Sequence, residues 1–203
     1  MRAIRIRQAQ TSTQMRTGRD RTRRAYTALE LIIVLAILGI LAVMSIPKAN
    51  VAQFRVDSGA RLVRSVLQRA QRLAITRQFD VIVSFDVWKN RVRLVEDVNN
   101  NSRVDAGERV VWRSLEDSVH FAIPPRGING SATAPVVGSS LKTIDGMPSI
   151  IFRRDGAAST DLEAYLTSKR ALGSDYRGVQ VVQSTGRTDW FRYLRAAWKQ
   201  ASL

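Results

Sequence analysis

From Leu31 to Ile46 the chain reads LIIVLAILGILAVMSI, sixteen residues without a charge, and Pro47 and Lys48 close the run. A helix that is apolar on every side has no face to turn to water, so this stretch limits the possible folds more than any other. Begun at Tyr26 it has 21 residues, about 31 Å as a helix, which matches the hydrocarbon thickness of a bilayer. The expectation is a transmembrane helix over 26–47. Arg19, Arg21, Arg23 and Arg24 lie just before it, and basic flanks stay cytoplasmic, so the residues after 47 are expected to be exported. The residues closing the run, Met44 to Ala49, offer no small-residue pattern for signal-peptide cleavage.

Glu30 interrupts this simple anchor. An acidic side chain inside a membrane segment costs about 2.5–3.5 kcal/mol at the centre and less near an interface, so its default reading is functional, with a partner to be named. The competing reading places it one turn inside the interface, with the carboxylate reaching out to water.

The string around it decides between them. Arg23-Arg24-Ala25-Tyr26-Thr27-Ala28-Leu29-Glu30, followed by the apolar run, resembles the class III signal of type IV pilins and type II secretion pseudopilins. The resemblance implies cleavage by a prepilin peptidase between Ala25 and Tyr26, followed by N-methylation of Tyr26. Counted from Tyr26, Glu30 is fifth, Gly39 fourteenth and Pro47 twenty-second, as in the family pattern. Ala25 stands where the family usually has glycine, and Ala28 where leucine is common. The resemblance further implies a bacterial inner-membrane precursor, N-terminus cytoplasmic, that leaves lipid to assemble with other pilins. In such an assembly the Glu30 carboxylate would pair with the free amine of a neighbouring subunit, an interaction that low dielectric strengthens.

After Pro47 the helical period resumes with Val51, Phe54, Leu62, Val63, Val66, Leu67, Ala70, Leu73 and Ala74. Arg55, Arg61, Arg64, Gln68, Arg69, Gln71 and Arg72 fall on the opposite face and read as solvated. One helix from Tyr26 to about Thr76 would measure about 75 Å, with Pro47 free to kink it. Beyond residue 79 the period shifts toward two, in Val81–Val87, Arg91–Glu96, Val110–Leu115 and Val119–Ile123. Residues 124–148 are rich in Gly, Pro and Ser and read as one long connection; strands are expected again at 149–153, 164–167 and 178–183. The expected fold is α+β, a long N-terminal helix on a mainly antiparallel sheet. Its parts are a leader 1–25, the membrane helix 26–47, an amphipathic helix 48–78, a β-rich domain 79–187, and a tail 188–203 without assignment. IIFRRDG (150–156), AYL (164–166) and GVQVVQSTGR (178–187) resemble the closing strands of the GspH/FimT minor pseudopilin domain. That resemblance implies a structural subunit of a type II secretion pseudopilus, or alternatively a type IV pilus minor pilin for pilus initiation or DNA uptake.

Composition narrows the chemistry. No cysteine is present and His120 is the one histidine, which excludes disulfide frameworks, thiolate zinc sites, thiol nucleophiles and multi-histidine metal centres. No P-loop, dinucleotide fingerprint or zinc-protease pattern occurs, so an enzyme is not expected. His120 lies in a strand-like run and receives no role. The net charge of +15 suggests an anionic partner. Yet residues 1–25 hold eight arginines against Asp20, a net +7, which leaves +8 on the other 178 residues.

Two further constellations carry possible chemistry. Asp97, Asn99, Asn101, Asp105 and Glu108 stand at positions 1, 3, 5, 9 and 12 of a twelve-residue stretch, the spacing of a calcium loop. Ser102 replaces the glycine of the sharp turn and the flanks look like strands, so an Asn/Asp/Gly-rich hairpin is the favoured reading. Gly186-Arg187-Thr188-Asp189 is similar to the GRxR string that the resemblance associates with DNA binding, with Asp189 in place of the second arginine and Arg192 close by. Arg187 and Arg192 are the candidate DNA contacts; capping of a terminal strand by Arg187 is favoured over them.

Overall fold

A computed structural model describes residues 27–44 and 49–201. The chain divides into two compact units, 1–46 and 47–203. In the first, helix α1 spans Ala28–Met44. Among the described residues no helix is long and apolar enough to cross a membrane; the 17 residues of α1 measure about 25 Å. Ala25, Tyr26 and Pro47, with the remainder of the expected span, lie outside the described residues.

The second unit opens with helix α2, Ala49–Arg77. Its buried row is Val56, Ala60, Val63, Leu67, Ala70 and Ala74, each without exposed surface, at alternating steps of four and three that hold one helix face. Val51 and Phe54, which the spacing placed on that face, are instead exposed: extended backward, the row reaches residues 52 and 53. Leu62 and Leu73 flank it, half-buried.

Among the described residues eleven strands follow, and they form two sheets rather than the single one expected. The first contains β1 (Asp80–Asp86), β2 (Arg91–Asp97), β3 (Val110–Ser114), β6 (Lys142–Ile144) and β7 (Met147–Phe152), in the order β3-β2-β1-β7-β6. The second holds β4 (Val119–Phe121), β5 (Val136–Val137), β8 (Leu162–Ser168), β9 (Arg177–Val181), β10 (Thr188–Leu194) and β11 (Ala197–Gln200). Its order is β11-β10-β9-β8-β4, with β5 beside β4 on the same edge of β8. Every pairing is antiparallel, which short connections impose on sequential pairs such as β1–β2, β6–β7 and β10–β11. The stretch 124–148, read as one connection, therefore contributes two short strands. The tail forms the β10–β11 hairpin, whose Trp190 is buried.

Both sheets pack their inner faces on α2. Val81, Val83 and Phe85 of β1, Val92 and Leu94 of β2, Leu162, Ala164 and Leu166 of β8, Val179 and Val181 of β9, and Trp190 share one core with the helix row. The alternation along β1 is the period of two. Ile82 turns the other way into a smaller cluster with Val95, Ile144 and Ile151, covered by Val104 of the β2–β3 loop. Segment 157–159 stitches the sheets together: the Ser159 N–H donates to Ile151 O and the Ala158 N–H to Gln183 O.

Candidate functional site

The start of α1 is built by Thr27 and Glu30. The Thr27 hydroxyl accepts the Glu30 N–H at 3.2 Å, satisfying one of the donors that a helix start leaves open. Thr27-Ala-Leu-Glu30 is the spacing of a capping box, a local signal the functional reading of Glu30 passed over. Glu30 suits a helix N-terminus, where a negative charge faces the positive end of the dipole. Every large apolar side chain from Leu29 to Leu41 is 47–70% exposed. Gly39 has no other side chain within 4 Å of where a Cβ would stand, so among the described residues nothing demands a glycine there.

The second candidate, the β2–β3 loop, is held by its own oxygens. Asp97 is fully buried, and its carboxylate accepts the N–H groups of Asn101 at 3.1 Å and Ser102 at 2.7 Å. Asn99 Oδ1 accepts the Asn101 N–H, and Asn101 Oδ1 accepts the Arg103 N–H. Both amide groups donate to Asp105. These two bonds, Asn99 first, hold the Asp105 carboxyl below its ordinary value of 3.8, against the opposing effect of desolvation and with help from the Arg103 charge. Ser102 adopts a φ of +61° and Asn100 one of +58°, so the sharp turn forms without glycine. Glu108 Oε2 accepts the Asp105 N–H at 3.0 Å, while Glu108 Oε1 is buried without a hydrogen-bond partner. Among the described residues no three His, Cys, Asp or Glu side chains converge to hold a metal ion.

The candidate DNA contacts are both engaged with carboxylates. Arg187 Nε lies 2.8 Å from Asp189 Oδ2, its side chain still 68% exposed. Arg192 bonds Asp57 Oδ2 at 2.7 Å, and its guanidinium stands 5.1 Å from the Trp190 ring centroid. The other Asp57 oxygen accepts from the buried Arg177, which also donates to Ser174 O and Tyr176 O. Asp57 thus ties α2 to β9 and β10. Gly186, first of the GR pair, has a packing role. A Cβ there would fall 2.2 Å from Gly156 O, and Gln71 of α2 donates to both Gly156 O and Thr185 O. His120 is paired with Thr167 across β4 and β8; partial burial, then the Lys169 charge, lowers its pKa from the usual 6.5.

No family model matches the chain. It is 36% identical over 88 residues to the pilin-like protein PilA1 of Thermus thermophilus, covering 43% of this chain. The match spans 56% of the relative, a little over half its length. The structure is similar to the minor pseudopilin EpsH from the type II secretion system of Vibrio cholerae. In one structure of EpsH the TM-score is 0.46 at 12% identity, covering 74% of this chain and 99% of that one. It is also similar to the type IV minor pilin FimU of Pseudomonas aeruginosa, with a TM-score of 0.44 at 13% identity, covering 66% and 85%.

Proposed function

We propose that the chain is a minor pseudopilin, a structural subunit that works by assembly and not by turnover. The observation that carries this reading is α1: an apolar helix, exposed at every described side chain from Ala28 to Leu41, and opened by a single carboxylate at a capped N-terminus. Such a surface requires a cover, first inner-membrane lipid and then the helices of other pilins or pseudopilins. The prepilin peptidase removes the leader between Ala25 and Tyr26 and methylates Tyr26. Glu30 then meets the new amine of a neighbouring subunit.

Within this reading, a type II secretion pseudopilus serving protein secretion is favoured over a type IV pilus. The engagement of Arg187 by Asp189 and of Arg192 by Asp57 supports that choice, because a carboxylate beside each arginine opposes phosphate. The type IV alternative, pilus initiation or DNA uptake, keeps support from the stretch shared with a pilin-like relative. A salt-dependent gel shift with duplex DNA would move the balance to it.

Mass spectrometry of the N-terminus of the protein recovered from cells tests the class. The expected mature chain starts at a methylated Tyr26. An intact Met1, or a cut after Ile46, overturns the reading. Glu30→Leu is expected to insert in the membrane as the wild type does and to be depleted from the assembled filament; wild-type incorporation would remove Glu30 from the mechanism.

A further inference from the structure

The second unit carries an apolar and basic rim at the end where α2 begins. Hydrogen bonds fix which turns meet there. Arg55 of α2 donates to Ser118 Oγ at 3.3 Å, and Gln53 to Ser174 Oγ at 3.4 Å. The Lys169 N–H donates to Ser118 O at 3.1 Å, and the Leu115 N–H to Asn90 O at 2.9 Å. The β1–β2 turn, the β3–β4 turn and the β8–β9 loop are therefore neighbours. The β10–β11 turn lies at the same end, since the Tyr193 N–H donates to Tyr176 O.

Trp88 stands on the β1–β2 turn and is 95% exposed. The turn that presents it is braced: the Asp86 carboxylate accepts from the Lys89 N–H and from Arg91 Nε, and Asn90 Oδ1 accepts the Phe121 N–H. Turn tips ordinarily carry small polar residues, and an indole left in water forgoes one of the largest apolar burials a side chain offers. Phe54 and Leu172, at the same end, are also exposed. Each of the three has a cation one or two positions away in sequence: Arg55, Lys89 and Arg170. Lys89, Lys169, Arg170 and Arg195 are all exposed, and among the described residues none of them forms an ion pair. Glu116 and Asp117 of the β3–β4 turn are exposed acids at this end, outnumbered by these cations.

We propose that this rim docks on the surface of an anionic phospholipid bilayer, with Trp88 at headgroup depth and Lys89, Lys169 and Arg170 on lipid phosphates. An amphipathic ring bordered by lysine and arginine suits a membrane interface, where the indole lies among the headgroups and the cations meet negative charge. The core of a protein–protein interface is instead depleted of charged residues, whereas here a cation accompanies every exposed apolar side chain. In the chain, α2 follows α1 after residues 45–48 alone, so lipid that takes up α1 is within covalent reach of the rim. The inference rests on the pseudopilin reading to that extent, since α1 is what brings the chain to a bilayer.

The chain contains no cysteine, so a single introduced cysteine reports one position. Full-length Leu172→Cys is compared with Val98→Cys, exposed at the opposite end beyond β2. Each is labelled with bimane and reconstituted in nanodiscs of phosphatidylethanolamine and phosphatidylglycerol that contain a headgroup-spin-labelled lipid. The Leu172→Cys label is expected to be quenched well beyond the Val98→Cys label, and to fall to its level in phosphatidylcholine discs or on adding Trp88→Ala. Adding Lys89→Glu with Arg170→Glu is expected to lower the docked-to-free ratio at least about tenfold, since each cation near an anionic surface counts for about a factor of five. Equal quenching of the two labels in anionic discs overturns the docking, as does Leu172→Cys quenching that neutral lipid leaves unchanged. In either case co-elution of the chain with the disc keeps the insertion of α1 intact, whereas loss of co-elution overturns both readings. A Leu172→Cys label that follows the number of chains per disc and ignores lipid charge assigns the rim to a second copy of the chain and likewise overturns the proposal.

Discussion

Asp57 is the one acid in α2, among six arginines, and it holds two arginines from the far end of the chain. Replacing it by alanine leaves Arg177, whose side chain is 3% exposed, without its carboxylate. Removing one partner of a buried ion pair costs about 3–5 kcal/mol. Asp57→Ala is expected at the lower end, about 3 kcal/mol, because Arg177 keeps two carbonyl partners; urea unfolding with an unchanged m value checks it. Residues differ in how far the sequence exposes their roles. Thr27 and Glu30 are three apart, so their cap is readable as a local spacing. Asp57 stands out only as an odd charge, since its partners lie 120 and 135 positions away.

Elements were legible where their period is local and lost where pairing is distant. The apolar run as far as Met44 and the row from Val63 to Ala74 read correctly as helix, and the alternation in 81–86 and 91–96 as strands. Val51 and Phe54 look like core because they are large and apolar, but the helix face is set by where the sheets lie. The division into two sheets depends on which strands meet: β1 pairs with β7 across more than sixty residues. No window of sequence carries that information. β5 and β6, two and three residues long, are too short for any periodicity. The Gly156 and Gly186 turns also pack together only in three dimensions. Gly186→Ala combines a φ of +63° with a clash against backbone, which cannot move like a side-chain tip, and is expected to cost at least about 2 kcal/mol. Gly39→Ala, with open space around it, should leave the unfolding of the β-rich domain unchanged. Parallel denaturation of the two variants makes the comparison.

At the scale of the whole molecule, the segment left unassigned by sequence completes the core. Its residues alternate too little to announce a hairpin, and the turn at Arg195 and Ala196 has positive φ at both without the Asn or Gly that usually marks such a turn. Truncation after Arg187 removes β10, β11 and Trp190 from the centre of the domain. It is expected to abolish cooperative unfolding, followed by circular dichroism; a truncated domain that melts as the full chain does would show the hairpin to be peripheral. The first unit has the opposite character. Rotating α1 about its own axis exchanges one aliphatic surface for another, so its outer surface is close to cylindrically symmetric. Glu30 marks a height along that cylinder but no azimuth. A helix of this kind has an address along its length and no compass bearing.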